Sequence, residues 1–102
     1  MVAAITLLAQ ELSHSTPPVV VQKVDPIYTS EAIAAKLQGD VILSAIIGAD
    51  GIPSDIHVLR ELGKGLDRKA VECLQAWRFK PATNHGEPVA SKLTVVINFR
   101  LP

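Results

Sequence analysis

From Val89 to Leu101 the chain alternates with a period of two. Val89, Ser91, Leu93, Val95, Ile97, Phe99 and Leu101 share one face, and Ala90, Lys92, Thr94, Val96, Asn98 and Arg100 the other. Alternation of this length predicts a β-strand with one face in a core. A second alternating run, Asp40 to Gly48, puts Val41, Leu43, Ala45 and Ile47 together. Its opposite face, Ile42, Ser44 and Ile46, is nearly as apolar, which predicts cover on both sides. Asp50-Gly51 then marks a hairpin turn, and Pro53 belongs at the start or edge of the returning strand. That strand is expected over Asp55–Glu61, with Ile56 and Val58 inward. Helical spacing appears twice. Thr29 is a natural N-cap for Ala32, Ile33 and Leu37, with Glu31 in the first turn and Gly39 suited to the left-handed C′ position. Leu66, Ala70, Cys73 or Leu74, and Trp77 define the second helix, between the breaker Gly63-Lys64-Gly65 and Pro81.

Ahead of these elements, Val2, Ile5, Leu8 (or Ala9) and Leu12 form one short helical stripe. Isolated helices of this length barely form, so it docks on something or is the remnant of a longer segment. Ser13 to Pro18 is a polar, proline-stopped linker, Val19–Val21 an extended piece and Asp25-Pro26 a turn, while Thr83 to Pro88 reads as a loop. Residues 1–18 are therefore expected to be a short helix and linker, and residues 19–102 a single domain. Its class is α+β, in the order α-β-β-α-β: two helices on one face of a small, mostly antiparallel three-stranded sheet, behind an extended leader.

Composition narrows the function classes. Ten basic and ten acidic residues cancel, which removes the basic surplus typical of nucleic-acid binders. The apolar run Val2–Ala9 falls far below the roughly 20 residues of a spanning helix, so no membrane insertion by this segment is expected. A single cysteine excludes an intramolecular disulfide framework. Cys73 lies in an apolar stripe and reads as a buried, inert thiol. His14, His57 and His85 are too scattered for a metal site, and Asp50, Asp55 and Asp67 fit turns and helix starts. Gly63-Lys64-Gly65 lacks phosphate-loop spacing, and Arg68, Lys69, Arg78 and Lys80 are interleaved with acids as on a solvated face. Trp77 reads as a core anchor with a possible partner contact. No catalytic constellation, metal or cofactor is expected. What stands out is the last strand, whose backbone is suited to pair with an extended segment of another chain.

At Trp77-Arg78-Phe79-Lys80-Pro81-Ala82 the chain resembles the C-terminal domain of TonB-type energy transducers. Leu66-Asp67-Arg68-Lys69-Ala70, Pro26-Ile27-Tyr28, Leu37-Gln38-Gly39-Asp40-Val41, Asp50-Gly51 and Val95-Val96-Ile97-Asn98-Phe99 match the same family in order. Together they span Val24 to Leu101, about three quarters of the chain. The resemblance implies a periplasmic, non-enzymatic domain that grips the TonB-box peptide of an outer-membrane receptor. The driving force would come from inner-membrane motor proteins and the proton gradient, through an N-terminal anchor and proline-rich linker of which only Pro17-Pro18 stands here. Thr29 departs from the family's frequent proline after the tyrosine, yet still caps a helix.

The expected partner surface joins the leader residues Val24, Asp25, Pro26, Ile27 and Tyr28 to Lys92, Thr94, Val96, Asn98 and Arg100 on the last strand. A proline at Thr94 or Val96 would remove one ladder donor; which of these two N–H groups points outward is left open by the sequence. A second reading is an assembly domain whose edge strand pairs two copies as a homodimer. An enzyme would need a reactive Cys73.

Overall fold

The structure, a computed structural model, describes residues 15–102; the helix expected over 1–12 and His14 lie outside the described residues. In chain order the elements are β1 (Ser15–Thr16), β2 (Val19–Gln22), α1 (Ser30–Ala34), β3 (Gly39–Ile47), β4 (Pro53–Arg60), α2 (Leu66–Ala76), β5 (Arg78–Lys80), β6 (Ala82–Asn84), β7 (Glu87–Val89) and β8 (Ser91–Phe99). The central sheet is antiparallel, in the order β4-β3-β8, with two small sheets, β2-β5 and β1-β6-β7. The expected α+β core of two helices and three strands is present.

Its inner face is the one the alternation selects. Val41, Leu43, Ala45 and Ile47 from β3 and Val95, Ile97 and Phe99 from β8 are buried against Ala32 of α1 and Leu66, Ala70, Cys73 and Leu74 of α2. Tyr28 meets Phe99 edge-on, with centroids 5.5 Å apart, and donates its hydroxyl to the Leu37 carbonyl at 2.8 Å. The outer face carries Ile42 and Ile46 half-buried beside a 52% exposed Val96, so no described element covers it as the apolar sequence had suggested.

The helices are shaped by their ends. The Thr29 hydroxyl accepts from the Ala32 N–H at 3.1 Å, as its capping role requires. α1 nonetheless stops at Ala34, well before Gly39. Leu37 N–H reaches the Ala32 carbonyl at 2.9 Å and Lys36 N–H the Ile33 carbonyl at 3.0 Å, a Schellman closure with Lys36 at φ 53°. A lysine, not the glycine, thus takes the left-handed position. α2 starts after Gly65 without a side-chain cap; instead the Asp67 carboxylate accepts from the N–H groups of Leu62 and Gly63 at 2.6 and 3.0 Å.

Two further differences lie in the strands. Trp77 is already extended, so α2 ends at Ala76, five residues before Pro81, and Arg78–Lys80 pairs with β2. The segment read as a loop is a hairpin, β6-β7, turning at His85-Gly86, and β1 adds to its other side. Ala90 separates β7 from β8, which splits the long final strand in two. The β3–β4 turn is locked to β5: Phe79 N–H donates to the Gly51 carbonyl at 3.0 Å. With φ at +79°, Gly51 passes so close that an added Cβ would sit 1.9 Å from the Phe79 oxygen.

Candidate functional site

The two edges of the central sheet differ in kind. On β4 the register against β3 slips twice, between the Ile42 and Leu43 pairings and between those of Ser44 and Ile46. Asp55 sits at φ 49° within the second slip, and Asp55, His57 and Arg60 are all exposed. Bulges and charge of this sort discourage further pairing. Val58 pairs with Leu43 and so shares the inner face as expected, though on this edge strand it is 37% exposed. β8 keeps an unbroken register from Ser91 opposite Ile47 to Phe99 opposite Gly39. Among the described residues, nothing pairs with its other side.

Which backbone groups face that open side follows from the hydrogen bonding at the sheet's ends. Gly48 donates to Ile52 at 3.1 Å, so the even-numbered residues of β3 address β4 and the odd-numbered ones β8. The register joins odd to odd, as in Leu43 with Val95. Beyond the far end, Leu101 N–H bonds the Gln38 carboxamide at 2.8 Å, on the β3 side and in the same phase. Lys92, Thr94, Val96 and Asn98 therefore aim their main-chain N–H and C=O groups away from the sheet. Thr94 and Val96, two apart, are equivalent in this respect; both N–H groups point outward.

The leader stands beside the C-terminal half of this edge. Its anchor is the Val24 carbonyl, which accepts from the Trp77 indole N–H at 3.0 Å and from the Cys73 thiol at 3.1 Å. The Lys23 ammonium lies 5.3 Å from the Trp77 ring centroid, a cation–π contact. Burial pushes the Cys73 thiol pKa up, against the smaller opposing effect of its contact with Trp77. A thiol held in its neutral form is a poor nucleophile. Between leader and strand run two cavities of about 220 and 260 Å³, the first walled by Lys23–Pro26, Trp77 and Val96–Asn98. The second is walled by Asp25, Pro26, Tyr28 and Asn98–Arg100.

Of the residues expected on the partner surface, Val24, Asp25, Pro26 and Tyr28 thus meet Val96, Asn98 and Arg100 along one trough. Asn98 spends its amide on Asp40 across the sheet. Ile27 instead turns to a separate apolar cavity under α2, with Lys69, Glu72 and Cys73. Lys92 lines a cavity at the other end of β8, and Thr94, opposite Ser44, lies between the two ends. Trp77 is the core anchor the sequence predicts, 7% exposed, and its indole N–H also ties down the leader, a role the sequence reading did not assign. A tryptophan whose N–H needs a buried acceptor was the available signal.

A small α+β domain with a regular open edge strand and a leader tied back by a helix-terminal tryptophan defines a class that comparison makes specific. Residues 24–101 match the family described as Gram-negative bacterial TonB protein C-terminal, and the chain belongs to that family. It is 32% identical over 77 residues to Protein TonB of Xanthomonas campestris pv. campestris, covering 74% of this chain and 34% of that one. Protein TonB of Vibrio cholerae is 28% identical over 96 residues, or 93% of this chain and 39% of the relative. The solution structure of the Pseudomonas aeruginosa TonB C-terminal domain superposes with a TM-score of 0.67 at 28% identity, covering 87% and 88% of the two chains. The chain spans about a third of the length of the curated relatives it matches.

Proposed function

We propose that this domain is a non-enzymatic periplasmic module of TonB-dependent energy transduction that docks the TonB-box segment of an outer-membrane receptor by strand addition. Main-chain hydrogen bonds would supply affinity, and side chains pointing alternately to the two faces would supply specificity. The observation that carries the reading is the outer edge of β8: nine residues in unbroken register, with the N–H groups of Lys92, Thr94, Val96 and Asn98 directed outward and the leader trough beside its C-terminal half. Family membership supports the transducer role. Inner-membrane motor proteins would act through sequence outside this chain, such as the remainder of the threefold-longer relatives.

Titration with a receptor TonB-box peptide, followed by amide chemical shifts, tests it. Shifts along Ser91–Arg100 and Val24–Tyr28 are expected. Their absence at saturating peptide would remove β8 as the docking edge. The same edge could instead pair two copies, a reading favoured by the exposed Val96 at its centre. Mass measured by light scattering across concentrations separates the two: a tight dimer indifferent to peptide would favour self-association.

A further inference from the structure

The outer face of the central sheet carries an apolar stripe that no described element covers. Ile42 and Ile46 are half-buried there with the small Ser44 between them, and Val96, opposite Ile42 on β8, is 52% exposed. A sheet with apolar side chains on both faces is ordinarily covered on both. Residues 1–14 lie outside the described residues, and their sequence supplies what the face lacks. Val2, Ile5, Leu8 and Leu12 recur at helical spacing, interspersed with the good helix formers Ala3, Ala4, Ala9, Gln10 and Glu11. A helix of this length is marginal alone and gains its stability by packing its apolar stripe against something.

The point where this segment joins the fold selects the face. Ser15 and Lys92 line the same cavity at the start of β8, and Lys92 stands opposite Ile46. From Ser15 back to Leu12 is three residues of chain. That reaches at most about 11 Å, enough to set Leu12 over Ile46. Ile5 precedes Leu12 by seven residues, roughly 10 Å along a helix. The row formed by Ile42 and Val96 lies four strand residues from Ile46, about 13 Å. Stripe and face thus have similar lengths. Charge agrees in direction. Glu11 is the one acid in residues 1–14, which contain no lysine or arginine, and Lys92 makes no ion pair among the described residues. A cation at that end also suits the C-terminal turn of a helix.

We propose that residues 2–12 form an amphipathic helix that docks on the outer face of the sheet in the same chain, Leu12 at the Ile46 end and Ile5 at the end formed by Ile42 and Val96. The helix uses the face of β8 and not its edge, so the proposal stands apart from the strand-addition reading.

Methyl-labelled full-length chain, studied by nuclear Overhauser contacts and by broadening from a soluble gadolinium chelate, tests it. Contacts of Leu12 with Ile46, and of Ile5 with Ile42 or Val96, are expected, together with protection of the Ile42 and Ile46 methyls. Replacing both Ile5→Asp and Leu8→Asp should abolish the contacts and raise the broadening of Ile42 and Ile46 to that of the exposed Ile27. Leu43 and Ile97, buried on the inner face, should stay protected and report an intact fold. If the double variant unfolds, the contacts within the parent chain decide. Absence of these contacts, with Ile42 and Ile46 broadened alike in parent and variant, overturns the proposal. Contacts found only between labelled and unlabelled chains in a mixed sample give the face to a second copy and overturn it equally. So does a parent whose Ile42 and Ile46 are as broadened as Ile27 while residues 2–12 bind phosphatidylglycerol vesicles, which gives the segment to a membrane.

Discussion

Replacing Val95 and Val96 by proline, one at a time, separates the two hydrogen-bonding sides of the last strand. Val95 faces Leu43 in the register and turns its N–H to β3, while Val96 turns its N–H to the open edge. Proline deletes that donor in each case. In Val95→Pro the Leu43 carbonyl, in a fully buried residue, loses its partner, costing about 1–3 kcal/mol before any ring clash. That is a large share of the 5–15 kcal/mol typical of a domain. In Val96→Pro no ladder bond is lost, the position is half-exposed, and proline is tolerated on the solvent side of an edge strand. The loss appears only on binding, where one carbonyl of the docked segment goes unpaired. At about 1–3 kcal/mol this is roughly a five- to 150-fold rise in Kd. Chemical denaturation and peptide titration of both variants read the two effects. A folded Val96→Pro that binds peptide as well as the parent refutes docking on β8. Equal destabilisation of both variants refutes the assignment of the two sides.

Phe99→Ala removes a fully buried ring held edge-on by Tyr28 and should cost roughly 3–5 kcal/mol in denaturant unfolding. Gly51→Ala places a residue at φ +79° with its Cβ 1.9 Å from the Phe79 oxygen; the conformation alone costs about 1–2 kcal/mol, the clash adds to it, and a melting point close to the parent's would contradict the turn geometry. Trp77→Phe leaves the Val24 carbonyl only the weak thiol donor, so hydrogen exchange of the amides around Val24 should speed up while those of β3 hardly change. A thiol reagent at neutral pH should label Cys73 only after denaturation, since burial both shields it and holds it protonated.

The parts of this fold legible in the sequence are those whose pattern is local. The alternation of β3 and β8 repeats often enough to fix their inward faces, and Asp50-Gly51 announces the hairpin between β3 and β4. Thr29 caps as its chemistry predicts. The end of α1 was misplaced because Gly39 is the residue best suited to a left-handed C′, yet the Schellman closure forms three residues earlier on Lys36. β2 was legible as the extended Val19–Val21, but β1, β5, β6 and β7 span two or three residues each, too short for any period; like the pairing of Val19 with Lys80, they exist because distant segments meet. The same holds for the candidate site. Its outward strand residues could be read from alternation, whereas the Trp77–Val24 tie spans 53 positions and is a fact of three dimensions.

The unlike edges of the central sheet give it a valence of one. An open sheet with two pairable edges grows like a ribbon, each added strand presenting a fresh template. Here β4, doubly bulged and lined with Asp55, His57 and Arg60, ends growth on its side. Among the described residues, the one edge of this sheet that is both regular and unpaired is that of β8. On the strand-addition reading, a receptor segment and a second copy of the domain would compete for one berth, and raising the concentration of either would displace the other instead of building a longer assembly.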